Sequence, residues 1–102
     1  MGIEPMMIDF AHLVVEEEFG KFVTVDASHD VGNVIHQNTA DIGVDDFARK
    51  VYYSKKAVEL QPHMIAEVRD IIQKNKKLVV YVKRAILRQI DAHLRKPYKE
   101  QK

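Results

Sequence analysis

The chain has 102 residues, of which 46% are hydrophobic and 30% charged, with no cysteine and a formal net charge of +1. This length holds one domain with a small core, and the lack of cysteine excludes disulfides, Cys-zinc sites and thiol catalysis. The longest apolar run, residues 78–82, is far shorter than the roughly 18 residues of a membrane span. No basic region opens the chain as it does in a signal peptide. We therefore expect a cytoplasmic protein with no membrane partner.

The first elements predicted along the chain are an arm and a β-hairpin. Residues 1–10 are predicted to be a flexible arm, and Met6 and Met7 leave open whether residues 1–6 belong to the natural chain. Residues 12–26 predict the hairpin, because apolar and polar residues alternate over the first half and strand-favouring residues fill the second. Leu13, Val15 and Phe19 share one face in this pattern. Gly20 and Lys21 are predicted to form a two-residue type II′ turn with glycine first.

Helical spacing dominates the rest of the chain. One helix is predicted after the capping residues Asp26 and Ser28 and ends near Asn38. A second begins near Val44, with Asp45 and Asp46 in its first turn, where the helix dipole favours negative charge. Residues 57–60 predict a short strand that could pair with the hairpin. The remaining predictions are a helix from Pro62 to about Lys74, a last helix over residues 78–94, and a disordered basic tail over residues 96–102.

These elements predict an α+β fold. The N-terminal hairpin, with a third short strand as an open alternative, packs against three or four helices. The globular domain is expected to span residues 11–95 as a single unit.

The charges are divided between the two halves of the chain. Residues 1–50 carry ten Asp/Glu and three Lys/Arg, a net charge of −7, whereas residues 51–102 carry thirteen Lys/Arg and five Asp/Glu, a net charge of +8. Within the basic half, the candidate polyanion-binding site is a stripe along the last helix. Because each residue of a helix is rotated by about 100° from the one before, the members of the stripe lie on the same side of the helix. They are Lys77, Arg84, Arg88 and Arg95.

Two interpretations of this stripe stay open. It could follow the phosphates of a nucleic acid, with binding that weakens steeply as salt rises. It could equally be the solvent-exposed face of an amphipathic helix, which is the commoner case. Asp91 at the edge of the stripe reduces its net positive charge.

No motif predicts an enzyme, a metal site or a cofactor. The five histidines, at positions 12, 29, 36, 63 and 93, are scattered over separate elements without the three or four converging ligands of a zinc site. Glycine occurs only four times, and no phosphate-binding loop or nucleophile elbow is present. We therefore expect no catalytic residue, no metal and no cofactor.

A set of short turns and helices resembles a family of short phage and prophage proteins over about residues 10–92. The segments that carry the resemblance are Val25-Asp26, Gly32-Asn33-Val34-Ile35, Asn38-Thr39-Ala40-Asp41-Ile42-Gly43, Phe47-Ala48-Arg49-Lys50-Val51-Tyr52 and Val58-Glu59-Leu60. The resemblance implies a mobile-element setting and a structural or assembly role, and it transfers no catalytic residue. We therefore predict a non-enzymatic interaction protein acting through a protein partner or self-association. The alternative is a small nucleic-acid-binding module that uses the basic stripe.

Overall fold

The structure is a computed structural model that describes residues 4–99. Within that range, strands and helices follow one another in an α+β arrangement, which confirms the predicted fold class. The strands are β1 (Met6–Ile8), β2 (Leu13–Glu18), β3 (Lys21–Val25) and β4 (Val58–Leu60). The helices are α1 (Ser28–Asn38), α2 (Ile42–Tyr52), α3 (Pro62–Lys74) and α4 (Val80–Lys99).

The strands form two separate antiparallel pairs. β2 and β3 make the predicted hairpin, and β1 pairs with β4 so that Met6 lies opposite Leu60. The prediction of a flexible arm over residues 1–10 is therefore wrong for residues 6–10, and residues 1–3 lie outside the described part. Ile8 and Phe10 are buried, because β1 closes one side of the core. The short strand near residue 58 exists, but it pairs with β1 and not with the hairpin.

The hairpin turn lies one residue earlier than predicted. Glu18 pairs with Lys21, so the loop is Phe19 and Gly20, and glycine is its second residue. Gly20 has φ 79°, and no other residue in the described range has a positive φ. Glycine adopts this conformation at little cost because it has no Cβ. The predicted type II′ turn is thus wrong, because Phe19 does not have the positive φ that it requires. A register shift between Glu16 and Glu18 leaves Glu17 as an extra residue in β2.

Local chemistry explains where the helices begin. α2 starts at Ile42, two residues before the predicted start, because the side chain of Asp41 accepts a hydrogen bond from the backbone N–H of Val44 at 3.1 Å. α3 runs from Pro62 to Lys74, as predicted, with proline in the first turn, where its missing N–H costs no helical hydrogen bond.

The last helix differs from prediction at both ends. It begins at Val80, after the side chain of Asn75 accepts hydrogen bonds from the backbone N–H groups of Lys77 and Leu78, both at 2.8 Å. It continues to Lys99 and so includes residues 96–99 of the predicted tail over residues 96–102. Residues 100–102 of that prediction lie outside the described range.

The core lies between the inner face of the hairpin, the β1–β4 pair and the apolar stripes of the helices. Leu13 and Val15 on β2 are buried, and so are Ile86 and Ile90 on α4. α1 and α2 make the most extensive helix–helix contact. None of the helices in the described residues is long and apolar enough to cross a membrane.

Candidate functional site

The predicted basic stripe is shorter in the structure than in the sequence pattern. Lys77 lies in the loop before α4 and does not belong to the helical face. Arg84, Arg88 and Arg95 do lie on α4, and all three are exposed. The stripe therefore consists of three arginines on one helix.

The stripe faces acidic residues of the hairpin. Arg88 Nη1 lies 3.6 Å from Glu16 Oε1, and the other carboxylate oxygen of Glu16 accepts a hydrogen bond from the backbone N–H of Gly20 at 2.9 Å. A cleft of about 340 Å³ between β2 and α4 is lined by Arg84 and Arg88 on one side and by Phe19 and Glu16, Glu17 and Glu18 on the other. Carboxylates in this cleft would repel a phosphate backbone.

Asp91, at the edge of the stripe, has a structural role. Its two carboxylate oxygens accept hydrogen bonds from Arg69 Nε at 2.8 Å and from Arg69 Nη2 at 3.2 Å. These hydrogen bonds lower the pKa of Asp91 and raise that of Arg69. The pair joins α3 to α4, the helix that carries the arginines.

The hairpin exposes an apolar surface beside the arginines. Val14 and Glu16 on β2 lie opposite Thr24 and Phe22 on β3, so these four residues share the outer face of the hairpin. Val14 is 54% and Phe22 61% exposed, and Phe19 at the tip is fully exposed. An adjoining cleft of about 200 Å³ has Val14, Phe22, Tyr81 and Ala85 among its lining residues, together with Glu16, Arg84, Arg88 and Gln89.

This apolar surface was not identified from the sequence. The alternating pattern placed Phe19 with the buried residues Leu13 and Val15, but the extra residue Glu17 shifts the pleat and turns Phe19 outward. The sequence does contain a sign of this change, since Glu17 interrupts the alternation of apolar and polar residues and a glycine directly follows Phe19. We name the exposed residues Val14, Phe19 and Phe22, with Arg84 and Arg88 beside them, the hairpin surface.

A second concave surface, of about 200 Å³, lies between α1 and α2. There His36 Nδ1 contacts Asp45 Oδ1 across the two helices, and the ring of His29 stacks on Tyr52 with centroids 4.2 Å apart. Gly32 permits the close approach, because a Cβ at this position would lie 2.8 Å from Tyr52 Cβ. Both contacts join side chains of α1 to side chains of α2.

The histidines do not converge on a common site. His12 Nδ1 lies 3.2 Å from Asp9 Oδ2, and His93 Nε2 lies 2.6 Å from the backbone carbonyl of Glu4. Among the residues that the structure describes, no group of three or more His, Cys, Asp or Glu is placed to hold a metal ion.

No family model, curated protein or solved structure matches this chain. The function is therefore inferred from the surface chemistry of the fold.

Proposed function

We propose that the protein is a non-enzymatic interaction module that binds a protein partner through the hairpin surface. The observation that carries this proposal is the exposure of three apolar side chains, Val14, Phe19 and Phe22, on one hairpin. Exposed aromatic residues grouped with arginines are typical of the centres of protein–protein contacts. The resemblance to short phage and prophage proteins supports a mobile-element setting for such a contact.

Charge favours a protein partner over a nucleic acid at this surface. Arg88 is partly neutralised by Glu16, and Glu17 and Glu18 line the same cleft as Arg84. A polyanion would meet these carboxylates together with the arginines, whereas a protein can place apolar and oppositely charged groups against each of them.

The proposal is tested by the size of the complexes that the tagged chain forms in extracts of its native cells. On size exclusion, the native chain is expected to elute ahead of its monomer position. Replacing both phenylalanines, Phe19→Ser with Phe22→Ser, removes the apolar contact and should return the chain to the monomer position. Ile42→Ser is the matched control, because Ile42 on α2 is 79% exposed and its loss should leave the elution unchanged.

Two results would count against this function. Elution of the native chain as a monomer would remove the evidence for a partner, and an equal shift of the Ile42→Ser variant would remove the assignment to the hairpin. If the native chain retards a DNA or RNA duplex at low salt, and Arg84→Glu with Arg88→Glu abolishes that retardation, the nucleic-acid alternative is supported instead.

A further inference from the structure

The cleft between β2 and α4 has two walls of complementary chemistry. One wall is the tip of the hairpin, with Glu17, Glu18 and Phe19, and the other is the arginine wall, with Arg84 and Arg88. Carboxylates form strong hydrogen bonds with guanidinium groups, and an aromatic ring packs favourably against a guanidinium group. The tip therefore carries the groups that the arginine wall binds best.

Within one chain, these complementary groups are only partly paired. Arg88 contacts Glu16 at 3.6 Å, and Glu17 contacts the first residue of β3 at 3.9 Å. Neither Glu18 nor Arg84 forms an ion pair with another residue in the described range. Both side chains are exposed and line the same cleft of about 340 Å³. One negative and one positive charge on this surface thus remain available to a partner.

We propose that the hairpin surface binds the hairpin surface of a second copy across a two-fold axis, so that the tip of each copy lies against the arginine wall of the other. This inference rests on the proposed function, since it names the partner of the hairpin surface. Across the interface, the order is the first arginine wall, the second tip, the first tip and the second arginine wall. Each tip then lies in the cleft of the other copy, and both clefts are filled.

A second copy matches this surface because the surface carries charges of both signs. A two-fold axis that brings Glu18 of one copy to Arg84 of the other makes the same contact twice. A purely acidic partner would face the carboxylates of the tip, and a purely basic partner would face the arginine wall. The formal net charge of +1 also gives two copies little long-range repulsion.

Phe19 supplies the apolar part of the contact. Its side chain is fully exposed in the two-residue loop of the hairpin. The cleft of about 340 Å³ lies within the range of small-ligand pockets, roughly 300–1,000 Å³, so it has room for one aromatic ring. In the proposed dimer, this ring packs against Arg84 of the second copy. Val14 and Phe22 line the adjoining cleft with the same arginine and extend the apolar surface beside the contact.

We expect a weak dimer, because each copy contributes one ring and one new ion pair of each sign. Interfaces below about 1,200 Å² are typical of transient complexes, and the expected dissociation constant is on the order of 10 µM. Because the ion pairs are exposed at the rim of the clefts, raising the ionic strength should weaken the dimer several-fold.

Sedimentation of the purified full chain tests the contact with a charge exchange. The weight-average mass should rise from monomer toward dimer as the concentration increases through roughly 10 µM. Glu18→Arg and Arg84→Glu, each alone, place like charges together at both contacts and should weaken the dimer at least tenfold. An equimolar mixture of the two variants restores both attractive contacts and should form a heterodimer. Far-UV circular dichroism verifies that each variant is folded.

A matched pair of variants controls for net charge. Asp46→Arg and Lys50→Glu make the same changes of charge at exposed positions of α2 and should dimerise like the native chain. The self-contact would be overturned if the mixture of exchanged variants failed to associate. It would also be overturned if the native chain stayed monomeric up to about ten times the expected dissociation constant.

The absence of cysteine permits a separate test of the geometry by cross-linking. Glu18→Cys is mixed with Arg84→Cys, which leaves the second symmetric contact unchanged. A short bis-maleimide is used, since the Cα atoms of an arginine–glutamate pair lie further apart than the roughly 4.4–6.8 Å of a disulfide. The mixed dimer, identified by mass, should form at least tenfold faster than in a mixture of Asp46→Cys with Arg84→Cys. Equal rates would contradict the contact between the tip and the arginine wall.

The two proposals fail in different ways when the purified chain and the native extract are compared at one chain concentration above the expected dissociation constant. If the purified chain is monomeric but the extract contains a complex that is sensitive to Phe19→Ser with Phe22→Ser, the partner is another protein and only the self-contact is wrong. If the purified chain dimerises with the expected charge exchange but the extract complex survives loss of both phenylalanines, the self-contact stands and the proposed function of the hairpin surface is wrong.

Discussion

Replacement of Gly32 by alanine is expected to separate α1 from α2. A Cβ at this position would lie 2.8 Å from Tyr52 Cβ, 2.9 Å from Tyr52 Cα and 3.0 Å from the carbonyl oxygen of Ala48. Two of these atoms belong to the backbone of α2, so no side-chain rotation relieves the contact. Overpacking of this kind lowers the free energy of unfolding by about 1–3 kcal/mol. The higher helix propensity of alanine offsets about 1 kcal/mol of this loss.

We place Gly32→Ala near the upper end of the overpacking range, which leaves a net loss of about 2 kcal/mol in the free energy of unfolding. For a domain of this size, that loss lowers Tm by roughly 8–16 °C. Urea denaturation followed by circular dichroism measures the free energy, and calorimetry measures Tm.

Gly43→Ala is the matched control for helix propensity. A Cβ at Gly43 would lie 3.1 Å from Asp41 Oδ1 and 3.5 Å from the end of the Met64 side chain. Both neighbours are ends of side chains that can shift by a few tenths of an ångström, so the expected change is less than about 1 kcal/mol. If Gly32→Ala is as stable as Gly43→Ala, the close approach of α1 and α2 is refuted.

Three further substitutions test individual contacts. Phe10→Ala should cost about 3–5 kcal/mol in urea denaturation, because Phe10 is buried; a change near zero would mean that residues 6–10 are not part of the core. Asp41→Ala removes the cap on Val44 and should cost about 1 kcal/mol by the same measurement, whereas no loss would contradict this start of α2. Asp91→Asn breaks the half-exposed pair with Arg69 and should cost about 0.5–1 kcal/mol at neutral pH.

The pair between Arg69 and Asp91 also has a defined pH dependence. Because Arg69 lowers the pKa of Asp91 in the folded state, the stabilisation is fully present above the unfolded pKa of about 3.9. It is lost as the pH falls through the lower folded value. The difference in stability between the native chain and Asp91→Asn should therefore shrink below pH 4, and a difference that stays constant down to pH 2 would contradict this role.

The elements that were predicted well are those that are determined by their own local sequence. α3 has proline in its first turn and apolar residues at helical spacing, so both of its ends follow from local sequence. The hairpin follows from alternation and β-favouring residues, but the bulge at Glu17 depends on pairing geometry and moved the turn to Phe19 and Gly20.

The missed features depend on contacts between distant segments. β1 has only three residues and is defined by β4, which lies about fifty residues further along the chain, so no local pattern identifies it. Arg84 and Arg88 were identified as a basic stripe, but their neighbours Glu16 and Phe19 come from the hairpin. The sequence pattern therefore contains the charges of the candidate site but not the apolar residues beside them.

The central claim, that the hairpin surface is the contact surface of this protein, is tested most directly by photo-cross-linking in native cells. A photoreactive residue is placed at Phe22 or at Ile42, two exposed apolar positions on different elements. We predict protein adducts from position 22 at several times the yield from position 42. Equal yields, or adducts from position 42 alone, would contradict the claim.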